Sequence, residues 1–245
     1  MEKEINGINY RLDEDNLTAE VIRKSGGYEG DIAIPETVVF DERTYRVTSI
    51  GERAFSWEKL TSITIPEGVE SIGEGGTFQG CTSLKLVQWN AVNCIIDADS
   101  KGSCYPPFYN LSSIKNFTFG NNVKFIPACL CCGLSGLTSI TIPDNVQSIG
   151  YGAFYGCKSL KSIAIPESVM IIETKAFCGC ESLKIIAIPC NVIIIEGGAF
   201  ADYKSEIVIR YGGTVEQCKG RYRYCDGWLY CPGKTIHCTD GVVKI

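Results

Sequence analysis

Fourteen cysteines and one histidine bound the chemistry open to this 245-residue chain. A zinc site would need Cys-x₂₋₄-Cys spacing, and Cys218, Cys225, Cys231 and Cys238 are separated by 7, 6 and 7. His237 and Cys238 are consecutive in a segment that reads as a strand, so their side chains point to opposite faces and form no local Cys–His dyad. No G-x-x-x-x-G-K-[ST] phosphate loop occurs. Two of the 28 acidic residues could pair as acid and base, but nothing suggests a deep pocket to hold them. No catalytic residue, metal or cofactor is therefore expected. One stretch mixes bases with rings: Lys219-Gly220-Arg221-Tyr222-Arg223-Tyr224, followed by Trp228 and Tyr230. Tyr222, Tyr224, Trp228 and Tyr230 would suit stacking on sugar rings or single-stranded bases. They would equally serve to cover the end of a core.

The whole-chain figures narrow the setting. Cysteine is about 6% of the chain, below the roughly 8–10% of small disulfide scaffolds. Hydrophobic residues at 45% and charged residues at 21% are ordinary for a globular protein. A net charge of −5 offers nothing global to nucleic acid or anionic membrane. The longest apolar runs, such as Ile193-Ile194-Ile195, fall far short of the ~20 residues that cross a bilayer, so no membrane insertion is expected. Met1-Glu2-Lys3-Glu4 lacks the apolar stretch of a secretion signal. The chain is then either cytoplasmic or one from which a signal has been removed.

The chain repeats itself. "LTSITIPDNVQSIGYGAFYGC" from Leu137 is echoed by "LKSIAIPESVMIIETKAFCGC" from Leu160 and "LKIIAIPCNVIIIEGGAF" from Leu183. Phe55, Phe78, Phe108, Cys131, Phe154, Phe177 and Phe200 form one column with intervals of 23, except 30 before Phe108. Leu60, Leu84, Ile114, Leu137, Leu160 and Leu183 form a second. Two more follow: Ile63, Val87, Phe117, Ile140, Ile163, Ile186, and then Ile65, Trp89, Phe119, Ile142, Ile165, Ile188. A 23-residue unit cannot bury its own apolar edge, but stacked copies bury one another's. The L-x-x-I-x-I segment alternates and reads as a short strand, stopped by the proline after it. Like strands of successive coils then make one parallel sheet. Gly80, Asn110, Gly133, Gly156, Gly179 and Asp202 share a column whose residue types select φ > 0, a tight corner in each coil. Cys81, Cys157 and Cys180 alternate with Leu111, Leu134 and Tyr203 and read as apolar filler. Cys131 fills a Phe slot. Cys132 and Cys178 share a column with Tyr155. A bridge between Cys94 and Cys104, or one or two within the C-terminal segment, stays open.

These copies resemble the bacterial BspA-like (Treponema-type) leucine-rich repeats over about residues 47–209. "SGGYEGDIAIPETVVFDERTYRVTSIGERAF" at 25–55 is similar to that family's entry segment, and "TIHCTDG" at 235–241 to its closing strand. The resemblance implies an α/β, β-rich repeat solenoid: a right-handed superhelix of ~23-residue coils with a parallel sheet on one face. It also implies a non-enzymatic protein-binding or adhesion module of a bacterial surface or secreted protein.

One structural domain is expected, in three parts. Residues 1–46 form an antiparallel β cap with a hairpin, 47–209 the solenoid with an insertion at about 90–107, and 210–245 a C-terminal cap. Two columns between the inward positions face solvent on the sheet: Ser62, Leu86, Asn116, Ser139, Ser162, Ile185, Val208, and Thr64, Gln88, Thr118, Thr141, Ala164, Ala187, Arg210. This face is small, nearly uncharged and more apolar toward its end. Ser162, Ala164, Ile185, Ala187, Val208 and Arg210 are the candidate protein-binding residues. A protein partner, no nucleic acid and a monomer are expected. Lys85, Lys115, Lys161 and Lys184 line one edge of the coils and read as a solvated stripe. The alternative function is carbohydrate binding by Tyr222, Tyr224, Trp228 and Tyr230.

Overall fold

The structure, a computed structural model, describes residues 1–73, 75–96, 105–203, 207–222 and 235–244. Three strands open the chain: β1 (Glu2–Ile5), β2 (Ile8–Asp13) and β3 (Thr18–Val21), with β2 antiparallel to both others. Next come β4 (Glu29–Ala33) and the antiparallel hairpin of β5 (Thr37–Phe40) and β6 (Arg43–Ile50). Each later coil adds a longer strand and then a two-residue one. These are β7 (Lys59–Ile65) with β8 (Ser71–Ile72), β9 (Leu86–Trp89) with β10 (Ile95–Ile96), and β11 (Asn116–Phe119) with β12 (Phe125–Ile126). Then follow β13 (Ser139–Thr141) with β14 (Ser148–Ile149), β15 (Ser162–Ala164) with β16 (Ile171–Ile172), and β17 (Ile185–Ile188) with β18 (Ile194–Ile195). The chain closes with β19 (Val208–Tyr211), α1 (Val215–Tyr222) and the hairpin of β20 (Thr235–Cys238) and β21 (Gly241–Lys244).

This is the expected solenoid, of about eight turns with almost no helix. The long strands pair in parallel as β4-β7-β9-β11 and again as β13-β15-β17-β19-β20, with β21 antiparallel at the edge. β19 runs across residues 209–210 and β20 continues the sheet beyond it. The short strands form a second parallel ladder, β6-β8-β10 and then β12-β14-β16-β18. The second residue of each two-residue strand turns inward: Ile72, Ile96, Ile126, Ile149, Ile172 and Ile195 are all buried. The two ladders break at different places. β11 pairs back to β9 and not on to β13, whereas β12 pairs on to β14 and not back to β10.

The core is built column by column. Every member of the leucine column is 0% exposed. The Phe column stacks ring on ring: Phe55–Phe78 at 5.1 Å, Phe78–Phe108 at 4.6 Å, Phe154–Phe177 at 5.3 Å and Phe177–Phe200 at 5.6 Å between centroids. Cys131 interrupts it between Phe108 and Phe154. Burying one such side chain is worth about 1.5–3 kcal/mol, and each ring pair adds about 0.5–1.5. The predicted corner column has φ between 57° and 78° at Gly80, Asn110, Gly133, Gly156, Gly179 and Asp202.

The thiol column does more than fill space. Cys81 Sγ donates to the Phe55 carbonyl at 2.9 Å, Cys157 Sγ to Cys131 at 3.1 Å and Cys180 Sγ to Phe154 at 3.2 Å. Tyr203 Oη donates to Phe177 at 2.9 Å in the same way. Each of these four side chains adds a second hydrogen bond to the carbonyl of the Phe-column residue one coil back, which already accepts the backbone N–H three residues further on. Leucine at 111 and 134 offers no such donor. Apolar filler is therefore an incomplete description of this column.

Candidate functional site

The six candidate protein-binding residues sit on the outer face of three adjacent strands, β15, β17 and β19. Period-two alternation turns Ile163, Ile186 and Ile209 inward and leaves their neighbours outward. Register then aligns the outward set across strands: Ala164 beside Ala187, Ile185 beside Val208, and Ala187 beside Arg210. Ser162 lies beside Ser139. Ile185 is 46% exposed although apolar. The face runs one strand further than the sequence pattern indicates, since Val208 aligns with Thr235 and Arg210 with His237.

The face is polarised along the solenoid axis. At its N-terminal end the polar groups satisfy one another. Thr61 and Ser62 both donate to Asp31 Oδ1, at 2.5 and 2.7 Å, and these bonds hold the Asp31 carboxyl below its ordinary range. Gln88 Nε2 donates to Asn90, and Thr118 donates to Gln88. From β13 onward the outward residues are Ser, Thr, Ala, Ile and Val until Arg210. Arg210 makes no ion pair among the described residues and stands between two shallow depressions. One, of about 310 Å³, includes His237 and Thr239, and the other, of about 230 Å³, includes Ile165, Glu167 and Ala187. The face runs over nine strands from Asp31 on β4 to His237 on β20, eight spacings or roughly 38 Å at the usual strand spacing.

The remaining candidates fall as follows. Tyr224, Trp228 and Tyr230, with Cys225 and Cys231, lie outside the described residues, as does the side chain of Tyr222. So do Cys104 and the loop at Ala98–Ser103. His237 is exposed and Cys238 half-buried on successive positions of β20, and Cys238 lies in hydrogen-bonding contact with Cys218 of α1. Asp240 accepts the Val215 amide at 2.7 Å, fastening the β20–β21 turn to α1. Among the described residues no cluster of three His, Cys, Asp or Glu could hold a metal ion. Lys158 pairs with Glu181 at 3.4 Å, and Lys115 Nζ bonds the Ser112 carbonyl. Among the described residues no helix is long and apolar enough to cross a membrane.

One feature escaped the sequence pattern. Trp57 is 71% exposed and has φ 64°. It lies one period before Gly80, in the corner column whose other members are Gly, Asn or Asp. Stepping that column back by 23 from Gly80 would have found it.

A family model described as the BspA type leucine rich repeat region matches six copies, over residues 42–99 and 105–221. No curated protein matches the chain significantly. Several crystal structures are similar in fold. A leucine rich cell surface protein from Faecalibacterium prausnitzii A2-165 is 22% identical, with 85% of this chain and 76% of that one covered and a TM-score of 0.37. A leucine-rich repeat protein from Bacteroides ovatus is 21% identical over 86% and 71% of the two chains, with a TM-score of 0.38. The leucine rich repeat protein of T. pallidum is 22% identical over 75% and 91%, with a TM-score of 0.47.

Proposed function

This chain belongs to the BspA-type leucine-rich repeat family, and on that premise we propose that it is a non-enzymatic protein-binding module acting through the C-terminal half of its sheet face. The observation that supports this most is the contrast along that face. Asp31, Thr61, Ser62, Gln88 and Thr118 use their hydrogen bonds on one another at one end. At the other, Ala164, Ile185, Ala187 and Val208 present apolar surface that loses little on dehydration. Arg210 adds an open guanidinium at the rim, the residue type best suited to a bidentate carboxylate contact. The partner is thus a protein with an apolar segment ending in an acidic group. An adhesion role at the cell surface, toward a host or neighbouring-cell protein, is the setting this reading favours.

The test is a pull-down of extracellular proteins from neighbouring or host cells, followed by purified binding measurements. Ile185→Arg and Ala187→Arg should each weaken the captured partner at least about tenfold, as expected for residues near the centre of an interface. Ser62→Arg at the polar end should leave it unchanged. Equal binding by all three variants would refute the assignment to this face.

A further inference from the structure

A second site lies between the N-terminal cap and the first coil. A cleft of about 470 Å³ opens there, within the range of small-ligand sites, walled by Trp57, Tyr28, Lys24, Glu29, Glu58 and Lys59. We propose that this cleft binds a neutral saccharide unit, stacked on the open face of Trp57.

Three observations carry the proposal. The first is Trp57 itself. Positive φ is unfavourable for a bulky side chain, and the other members of its column are Gly, Asn or Asp. Strain retained at one position out of seven, in a residue left 71% exposed, points to use rather than packing. The second is the ring's seat. A methyl group added at Gly80 would collide with the Trp57 benzo ring, so that ring lies flat on the Gly80 backbone with its other face open. A flat, half-supported indole is a platform for the C–H face of a pyranose.

The third is the charge of the walls. Lys24 and Lys59 balance Glu29 and Glu58, so the cleft favours neither an anion nor a cation. Lys24 Nζ is held by Glu4 Oε1 at 2.9 Å and the Gly7 carbonyl at 3.1 Å, and Glu58 accepts the Tyr28 amide at 2.8 Å. Glu29 and Lys59 face each other in register across β4 and β7, yet neither side chain has a hydrogen bond or ion pair among the described residues. They leave one acceptor and one donor beside the ring, the pairing that vicinal hydroxyls use. Its strands, β4 and β7, lie at the opposite end of the sheet from β15, β17 and β19.

The experiment titrates the full chain with maltotriose, cellotriose and N,N′-diacetylchitobiose, with adenosine as the nucleobase control. Tryptophan emission and calorimetric heat are both recorded. Trp89 is fully buried, so an emission change reports Trp57 or Trp228, and Trp228→Phe separates the two. At least one saccharide should give saturable binding that survives Trp228→Phe. Trp57→Asn, which installs a residue the same column uses at Asn110, should weaken it at least about tenfold. Glu29→Gln with Lys59→Met should do the same without touching the ring. Trp57→Asn should leave the urea midpoint unchanged or raised, because it relieves the backbone. The proposal is overturned if no saccharide binds at 10 mM concentrations (about the weakest useful affinity), if only adenosine binds, if binding ignores Trp57→Asn, or if that variant loses stability and no sugar binds.

Discussion

Raising the pH above 9 should unfold this protein through its buried thiols. Burial pushes Cys81 up to about 11 and Cys180 up to about 12, and holds Cys131 and Cys157 well above the ordinary thiol range. Desolvation is the largest cause in each, because a thiolate among stacked phenylalanines has no water to solvate it. A folded-state value raised above the unfolded one means stability that is complete below about pH 8.5–9 and lost as pH climbs toward the folded value. In that window the unfolded chain has released four protons that the folded chain still holds. Each contributes a slope of about −1.4 kcal/mol per pH unit, so four give roughly −5 to −6. One pH unit then removes an amount comparable with the 5–15 kcal/mol that holds a typical domain together. Above pH 10 the buried Tyr10 and Tyr28 hydroxyls, both raised by desolvation, steepen the fall further. The assay is urea unfolding followed by far-UV circular dichroism between pH 7.5 and pH 10 with a phosphine reductant present. Cys157→Val keeps the position apolar and removes one of the four protons, so its slope should be shallower by about 1.4 kcal/mol per pH unit. A midpoint that stays flat from pH 9 to pH 10, or a Cys157→Val slope equal to the parent's, would refute the reasoning.

Phe177→Ala removes the middle ring of the Phe154–Phe177–Phe200 stack and should cost about 3–5 kcal/mol in urea unfolding. At Gly156, φ is 67° and a Cβ would meet only the Gly133 Cα, at 3.9 Å. Gly156→Ala should therefore lose about 1–2 kcal/mol from backbone strain alone, and Gly156→Asn distinctly less, measured side by side. Asp31 is held below its ordinary range by Thr61 and Ser62, so its stabilisation is present above the unfolded carboxyl value and lost as pH falls through the folded one. Asp31→Asn should flatten the acid limb of stability below about pH 4, and an unchanged limb would contradict those bonds.

What could be read from residues alone follows from repetition. A column of Leu, Ile or Phe recurring every 23 positions has one physical use, and these columns are buried, Phe119 only in part. The second ladder was not legible, because a two-residue strand such as Ile171–Ile172 has no periodicity to detect. The thiol column looked apolar because Cys exchanges with Leu there. Tyr203 was the clue to the donor role, since its hydroxyl makes the bond that the thiols make. Trp57 was hidden because its residue type breaks the pattern that defines its column. The sheet-face residues were legible as neighbours because alternation and period together determine register. Their drift toward apolar types was legible too, but not the mutual hydrogen bonding of the polar end, since that depends on which hydroxyls reach Asp31.

The staggered breaks in the two ladders bear on how the molecule carries load. The coil from Phe108 to Ile126 gives its long strand to the N-terminal half and its short strand to the C-terminal half. It overlaps both, as a brick bridges two joints in a wall. No single plane across the solenoid passes through both gaps, so a pulling force meets hydrogen bonds on one flank wherever it concentrates. The missing ring at Cys131 sits in the coil just beyond. Under tension the molecule should yield around this coil first and separate into two cooperative halves.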